Sequence, residues 1–201
     1  MDYFLTEQQK TIKDLARRIA VEKILPIRAE LDEKEEFPWD IVKELAAADM
    51  FRVFVPEQYD GLGGGCLDLC LVTEELSRVC SGIAVTYAAS ALGIMTLMEY
   101  GTEAQKQKWL PDIASGQKLG AFAITEPTAG SDSSNIKTTA EKVAGGYLLN
   151  GTKQFITNGG EAAIYTVICL TDKAKGARGA SAIIVEKDTP GFTFGKKEKK
   201  M

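Results

Sequence analysis

In the first part of the chain the apolar positions recur every three and four residues. Ile12, Leu15, Ala16, Ile19 and Ala20 form one stripe across Thr11 to Leu25, the period of a half-buried helix, and Pro26 ends or kinks it. A second helix starts at Pro38, a residue suited to a first helical turn, and continues through Val42, Leu45 and Ala46. Met50 to Val55 alternates as extended chain would, and Pro56, Gly61 and Gly63-Gly64-Gly65 mark a long loop. Leu69, Val72, Leu76, Val79 and Cys80 then share a helical face, with Glu74, Glu75 and Arg78 on the opposite side. Gly82 to Met98 carries no charge. It is shorter than the roughly 20 residues a bilayer requires and contains Thr86, Tyr87 and Ser90, so it reads as a buried central helix. Thr102-Glu103-Ala104-Gln105 has capping-box spacing and opens a further helix, which Pro111 interrupts and Gly116 ends.

After Lys118 the period changes from helix to strand. Gly120–Thr125, Thr138–Val143, Tyr147–Leu149, Gln154–Thr157, Ala163–Thr171 and Ala180–Glu186 are rich in Ile, Val, Thr and Phe and are divided by Gly145-Gly146, Asn150-Gly151 and Asn158-Gly159-Gly160. Helices first and strands second predict an α+β chain, with an all-α domain over residues 1–118 and an antiparallel β-domain over 119–201. That order, and the lack of a Gly-x-Gly-x-x-Gly after a strand, argue against a dinucleotide-binding parallel sheet.

Composition narrows the chemistry. The 201 residues include no histidine, which removes Ser-His-Asp and Cys-His nucleophile pairs and imidazole bases; any proton transfer falls to a carboxylate, a lysine or a cofactor. A net charge of -4 argues against a nucleic-acid partner, and the basic run Gly195–Lys200 reads as a solvated end. Met1 to Lys10 has no apolar core, which argues against a secretory leader; no membrane partner is expected, and the bacterial cytoplasm is favoured over a mitochondrial matrix. Cys66, Cys70, Cys80 and Cys169 are distributed as buried small apolar residues, with no Cys-x-x-Cys and no metal site expected.

The stretch with the most chemical potential is Ala123-Ile124-Thr125-Glu126-Pro127-Thr128-Ala129-Gly130-Ser131-Asp132. It is a strand running into a loop of small residues whose N–H groups and hydroxyls are free to meet a phosphate or a heterocycle edge. This segment resembles the flavin-contacting signature of the acyl-CoA dehydrogenase family. Three more stretches resemble that family in the same order: Val55–Gly61, Tyr100–Pro111 and Asn150–Gly159. The resemblance covers essentially the whole chain.

It implies FAD as cofactor, an acyl-CoA thioester as substrate, and α,β-dehydrogenation, in which a carboxylate removes the α-proton and the β-hydrogen passes as hydride to the flavin. By the same resemblance Phe122, Ala123, Ile124, Thr125, Glu126, Pro127, Thr128, Ala129, Gly130 and Ser131 line the flavin, with Thr125 at its pyrimidine end. Ser131 also meets the CoA side. Phe155, Ile156 and Thr157 form the second flavin segment; the family usually has Trp at the position of Phe155, so weaker stacking is expected. Glu126 falls at a structural position of the family and not at the base, and Asn135 stands where a small residue is preferred. Tyr87, Ala88, Ala91 and Leu92 face the acyl chain, and the lack of an arginine there implies an uncharged acyl group, short or branched. An electron-transfer flavoprotein is the implied acceptor and a homotetramer the implied assembly.

Family members continue into a C-terminal helical bundle that supplies the base. The chain is therefore expected to be a fragment or one half of a split enzyme, lacking that bundle, without a catalytic residue of its own and inactive alone. Two alternatives stand beside this reading: a non-catalytic module that binds flavin or acyl-CoA, and an acyl-CoA oxidase or flavin monooxygenase relative.

Overall fold

In a computed structural model of the chain, residues 4–199 are described; Met1–Tyr3, Lys200 and Met201, the outermost ends of the two expected domains and of the basic run, lie outside them. Six α-helices precede the sheet: α1 Glu7–Ile19, α2 Arg28–Lys34, α3 Trp39–Ala47, α4 Cys66–Ser77, α5 Ser81–Tyr100 and α6 Glu103–Ala114. Two of them open as capping boxes. Thr6 with Gln9 caps α1, and Thr102 with Gln105 caps α6, where the Gln105 N–H donates to the Thr102 hydroxyl at 3.3 Å and the Thr102 N–H to the Gln105 side chain at 2.8 Å. After α1 the chain continues for one π-helical stretch, Ala20–Ile24, before Pro26 stops it.

α5 is the one described helix long and apolar enough to cross a membrane by length and composition. Here it serves as the spine of the core. Ile83, Ala84, Tyr87, Ala91, Ile94 and Leu97 are buried along it, and Gly93 lets its backbone approach β1, where an added Cβ would lie 2.7 Å from the carbonyl carbon of Gly120.

The sheet has five strands: β1 Gly120–Ala123, β2 Thr139–Val143, β3 Gly146–Asn150, β4 Ile164–Leu170 and β5 Ala180–Glu186. β4 is central. It pairs with β5 antiparallel over its full length, with β1 parallel from Gly120↔Ile164 to Ala123↔Val167, and with the start of β2 at Thr139↔Leu170. β2 and β3 form an antiparallel hairpin turning at Gly145, whose φ of 85° requires glycine. One apolar core runs from the helices into the sheet, including Phe51, Tyr59 and Leu76 on one side and Ala121, Ile164 and Tyr165 on the other.

Several sequence expectations are corrected. The sheet is mixed, since antiparallel pairing accounts for β2–β3 and β4–β5 but β1 lies parallel to β4. Met50–Phe54 is a 3-10 turn and not extended chain, because Met50, Phe51, Val53 and Phe54 are all buried and alternation would have turned half of them to solvent. α2 has no buried residue and left no stripe to read. Pro111 does not interrupt α6, which runs through it to Ala114. Gln154–Thr157 is not a strand, since Phe155 and Asn158 take φ of 57° and 63°. Cys66 and Cys70 are exposed and Cys80 is half-buried; Cys169 alone of the four is buried.

The largest surprise is Glu75. The sequence places it on the solvent side of α4, but α1 packs there, and its side chain is 1% exposed between Lys13 at 3.6 Å, Arg17 at 3.4 Å and Arg78 at 3.5 Å. Three cations ringing one carboxylate let an acidic residue occupy a helix–helix seam.

Candidate functional site

β1 is held between α5 and β4, so its C-terminal end is fixed where the chain leaves the sheet at Ile124. The loop that follows is pinned by a tight reciprocal turn: the Glu126 N–H donates to Ala129 O at 3.0 Å and the Ala129 N–H to Glu126 O at 3.1 Å. This turn leaves Pro127, Thr128, Gly130 and Ser131 exposed and Ala129 buried.

The segment after β3 returns to the same place. The Gln154 N–H donates to Thr125 O at 2.8 Å, and the Lys153 ammonium donates to Ile124 O at 2.9 Å and to the Glu126 carboxylate at 2.8 Å. Glu126 also accepts the backbone N–H groups of Lys137 at 2.7 Å and Thr138 at 2.9 Å. Burial alone would push this carboxyl up. The Lys153 ammonium and the backbone N–H groups of Lys137 and Thr138 outweigh it and hold the group at about 2. Three of its roughly four acceptor sites are taken by fixed donors, and a carboxylate held at about 2 is a fixed anion and a weak base.

Beyond Gln154 the backbone turns left-handed at Phe155 and the ring stands 66% exposed, an unusual position for a large apolar side chain flanked by ordered structure. Ile156 and Thr157 follow, half-buried. Asn158 closes the segment: its amide donates to Thr86 O at 3.0 Å, Ser90 Oγ at 3.3 Å and Gly120 O at 3.1 Å, tying α5, β1 and this loop together, while its Oδ1 has no partner.

The structure thus brings the two expected segments, 122–131 and 155–157, side by side at the end of β1. Phe122, Ile124 and Thr125 are half-buried, Ala123 is buried, and the side chain of Glu126 points into its clamp and away from the surface. Among the described residues, the hydroxyls of Thr125, Thr128, Ser131 and Thr157 and the N–H groups of Thr128, Gly130, Ser131, Ile156 and Thr157 have no protein partner. These unpartnered donors and the exposed Phe155 side chain lie on two segments joined by the Gln154–Thr125 hydrogen bond. That combination suits a planar, polar-edged ligand laid on the surface.

The four α5 residues divide. Tyr87 and Ala91 lie in the core, the Tyr87 hydroxyl donating to Met50 O at 3.0 Å and its ring tilted on Phe51 and Phe54. Ala88 and Leu92 lie one residue on, facing outward with Val85 and Met95 along the helix. Asn135 sits in a short 3-10 turn, exposed, and strains nothing. Sequence reasoning missed Lys153 and Asn158. Lys153 reads as one more surface cation, and Asn158 as a turn residue before Gly159; only their burial marks them.

Residues 6–117 match the family model for the acyl-CoA dehydrogenase N-terminal domain and residues 121–201 that for the acyl-CoA dehydrogenase middle domain. Among solved structures the chain is similar to butyryl-CoA dehydrogenase from Megasphaera elsdenii, with 43% identity and a TM-score of 0.93, over 98% of this chain and 53% of that one. It is similar at 44% identity and a TM-score of 0.93 to a chain of a structure described as the electron transferring flavoprotein of Acidaminococcus fermentans, over 98% of this chain and 52% of that one. An acyl-CoA dehydrogenase of Bacillus anthracis complexed with FAD is 35% identical with a TM-score of 0.86, over 98% of this chain and 34% of that one. The chain spans about half the length of the curated relatives it matches, 52% and 53% of the first two.

Proposed function

The chain belongs to the acyl-CoA dehydrogenase family, and from that premise we propose that it forms the flavin- and acyl-binding part of an enzyme that oxidises short, uncharged acyl-CoA thioesters at the α,β bond. The observation that carries this is the meeting of the 122–131 and 155–157 segments at the end of β1, which together present unpartnered hydroxyls and N–H groups and an exposed Phe155 side chain.

The residues fit FAD. Phe155 offers an apolar face, and the N–H groups and hydroxyls offer donors to the polar edge of the ring system. When bound, FAD would supply the hydride acceptor, a role no amino-acid side chain fills. The chain's own residues do the rest by position: Thr125 and Thr157 fix the ring edge, Phe155 covers a face, and Thr128, Gly130 and Ser131 hold the loop open to anionic groups. Glu126 is not the base, since its carboxylate is committed to Lys153, Lys137 and Thr138.

The acyl group follows from α5. The helix contains no lysine or arginine, and its outward side at Ala88 and Leu92 is apolar, so a second carboxylate on the acyl chain would be buried without a counter-ion. The similarity to butyryl-CoA dehydrogenase supports the same class, and the similarity to the Acidaminococcus structure supports an electron-transferring flavoprotein as partner. The test is spectroscopic. The purified chain titrated with FAD is expected to retain a yellow flavin whose band is perturbed by butyryl-CoA more than by glutaryl-CoA; a chain that retains no flavin overturns the reading, and a preference for glutaryl-CoA overturns the acyl assignment.

A further inference from the structure

We infer that Lys153 and Glu126 are positioning residues for the flavin site: a buried ion pair that sets the distance between the two ligand-facing segments without touching the ligand. This rests on the flavin reading above for its ligand, but its geometry stands independently. Lys153 is the only side chain among the described residues bonded to both the strand end, through Ile124 O at 2.9 Å, and the turn, through Glu126 at 2.8 Å. Its own backbone neighbour, the Gln154 N–H, donates to Thr125 O at 2.8 Å, so three consecutive residues of one segment face two consecutive residues of the other. Glu126 extends the tie to a third stretch through the N–H groups of Lys137 and Thr138.

The side chains of both residues are almost wholly buried, at 10% and 4% exposure, where an unpaired charge is costly. Each therefore holds the other in place. Thr125 and Phe155, which face the ligand, are the immediate neighbours of Glu126 and of Gln154. A shift of the pair transmits to them through one or two peptide units, and groups that orient ligand-holding residues in this way typically carry tenfold to hundredfold effects.

Three changes separate positioning from plain stability. Lys153→Met leaves Glu126 buried without its cation. Glu126→Gln keeps the volume but sets an NH2 group against a backbone N–H, and it serves as the readout where the methionine variant does not fold. Lys153→Arg keeps the charge and is expected to rescue. In the folded Met and Gln variants the FAD dissociation constant should rise roughly tenfold or more, with a shifted flavin band, and in flavin-free protein the Gln154 and Thr138 amides should exchange hydrogen faster while those of α1 and α4 hold. A folded variant with the wild-type dissociation constant and unchanged exchange at Gln154 and Thr138 overturns the proposal. If the unaltered chain retains no flavin, the flavin reading fails while the exchange comparison still decides whether the clamp joins the segments.

Discussion

Two buried glutamates behave differently because their partners do. Glu75 is surrounded by Lys13, Arg17 and Arg78, all of which keep part of their surface in water. Removing the carboxylate lets those cations rehydrate, so Glu75→Gln should cost only about 1–2 kcal/mol in urea unfolding. Removing Lys13 and Arg17 together leaves the buried carboxylate with Arg78 alone, at 3.5 Å, and should cost about 3 kcal/mol. A smaller loss for the double variant than for Glu75→Gln would show that the ring of cations does not hold this carboxylate. Glu126 gives a pH signature. Its folded value of about 2 lies below the ordinary 4.5, so its contribution, about 3 kcal/mol by linkage, is full above pH 4.5 and is lost as pH falls from 4.5 toward 2. Unfolding free energies taken across that window should fall more steeply for the unaltered chain than for Glu126→Gln.

At the scale of elements, α5 and β1 meet through a glycine. Replacing a helical glycine by alanine ordinarily stabilises by up to about 1 kcal/mol. At Gly93 the new methyl would press on the Gly120–Ala121 backbone, 2.7 Å from the Gly120 carbonyl carbon, and Thr166 already donates to Gly93 O at 2.5 Å. Gly93→Ala should therefore destabilise by roughly 1–3 kcal/mol, as overpacking does, and a higher melting temperature would refute the close approach. The elements themselves were largely legible, because α1, α3, α5 and the capping box of α6 are written in local spacing and cap chemistry. The parallel pairing of β1 with β4 was not, since a strand's partner and direction depend on how forty intervening residues are routed.

On the scale of the whole molecule, the outward side of α5 is apolar. Val85, Leu92 and Met95 are exposed along one line, with Leu67 exposed on the neighbouring α4. Uncovered apolar surface of this kind drives association. Sedimentation velocity should show concentration-dependent self-association, and the pair Leu92→Lys and Met95→Lys should shift the chain toward monomer; an unaltered profile would place the association elsewhere.

The sequence by itself determined the order of helices and strands, the loop of small residues after β1 and the second segment around Phe155, because periodicity, caps and turn residues are local properties of a chain. It also carried the four ordered stretches by which the family is known. Only the tertiary structure decided that Glu75 lies inside, that Tyr87 and Ala91 belong to the core while Ala88 and Leu92 face outward, and that Lys153 and Glu126 join the two ligand-facing segments. The reason is physical: burial and pairing of a charge depend on what a distant segment brings beside it, and Lys153 meets Glu126 across 27 residues of chain.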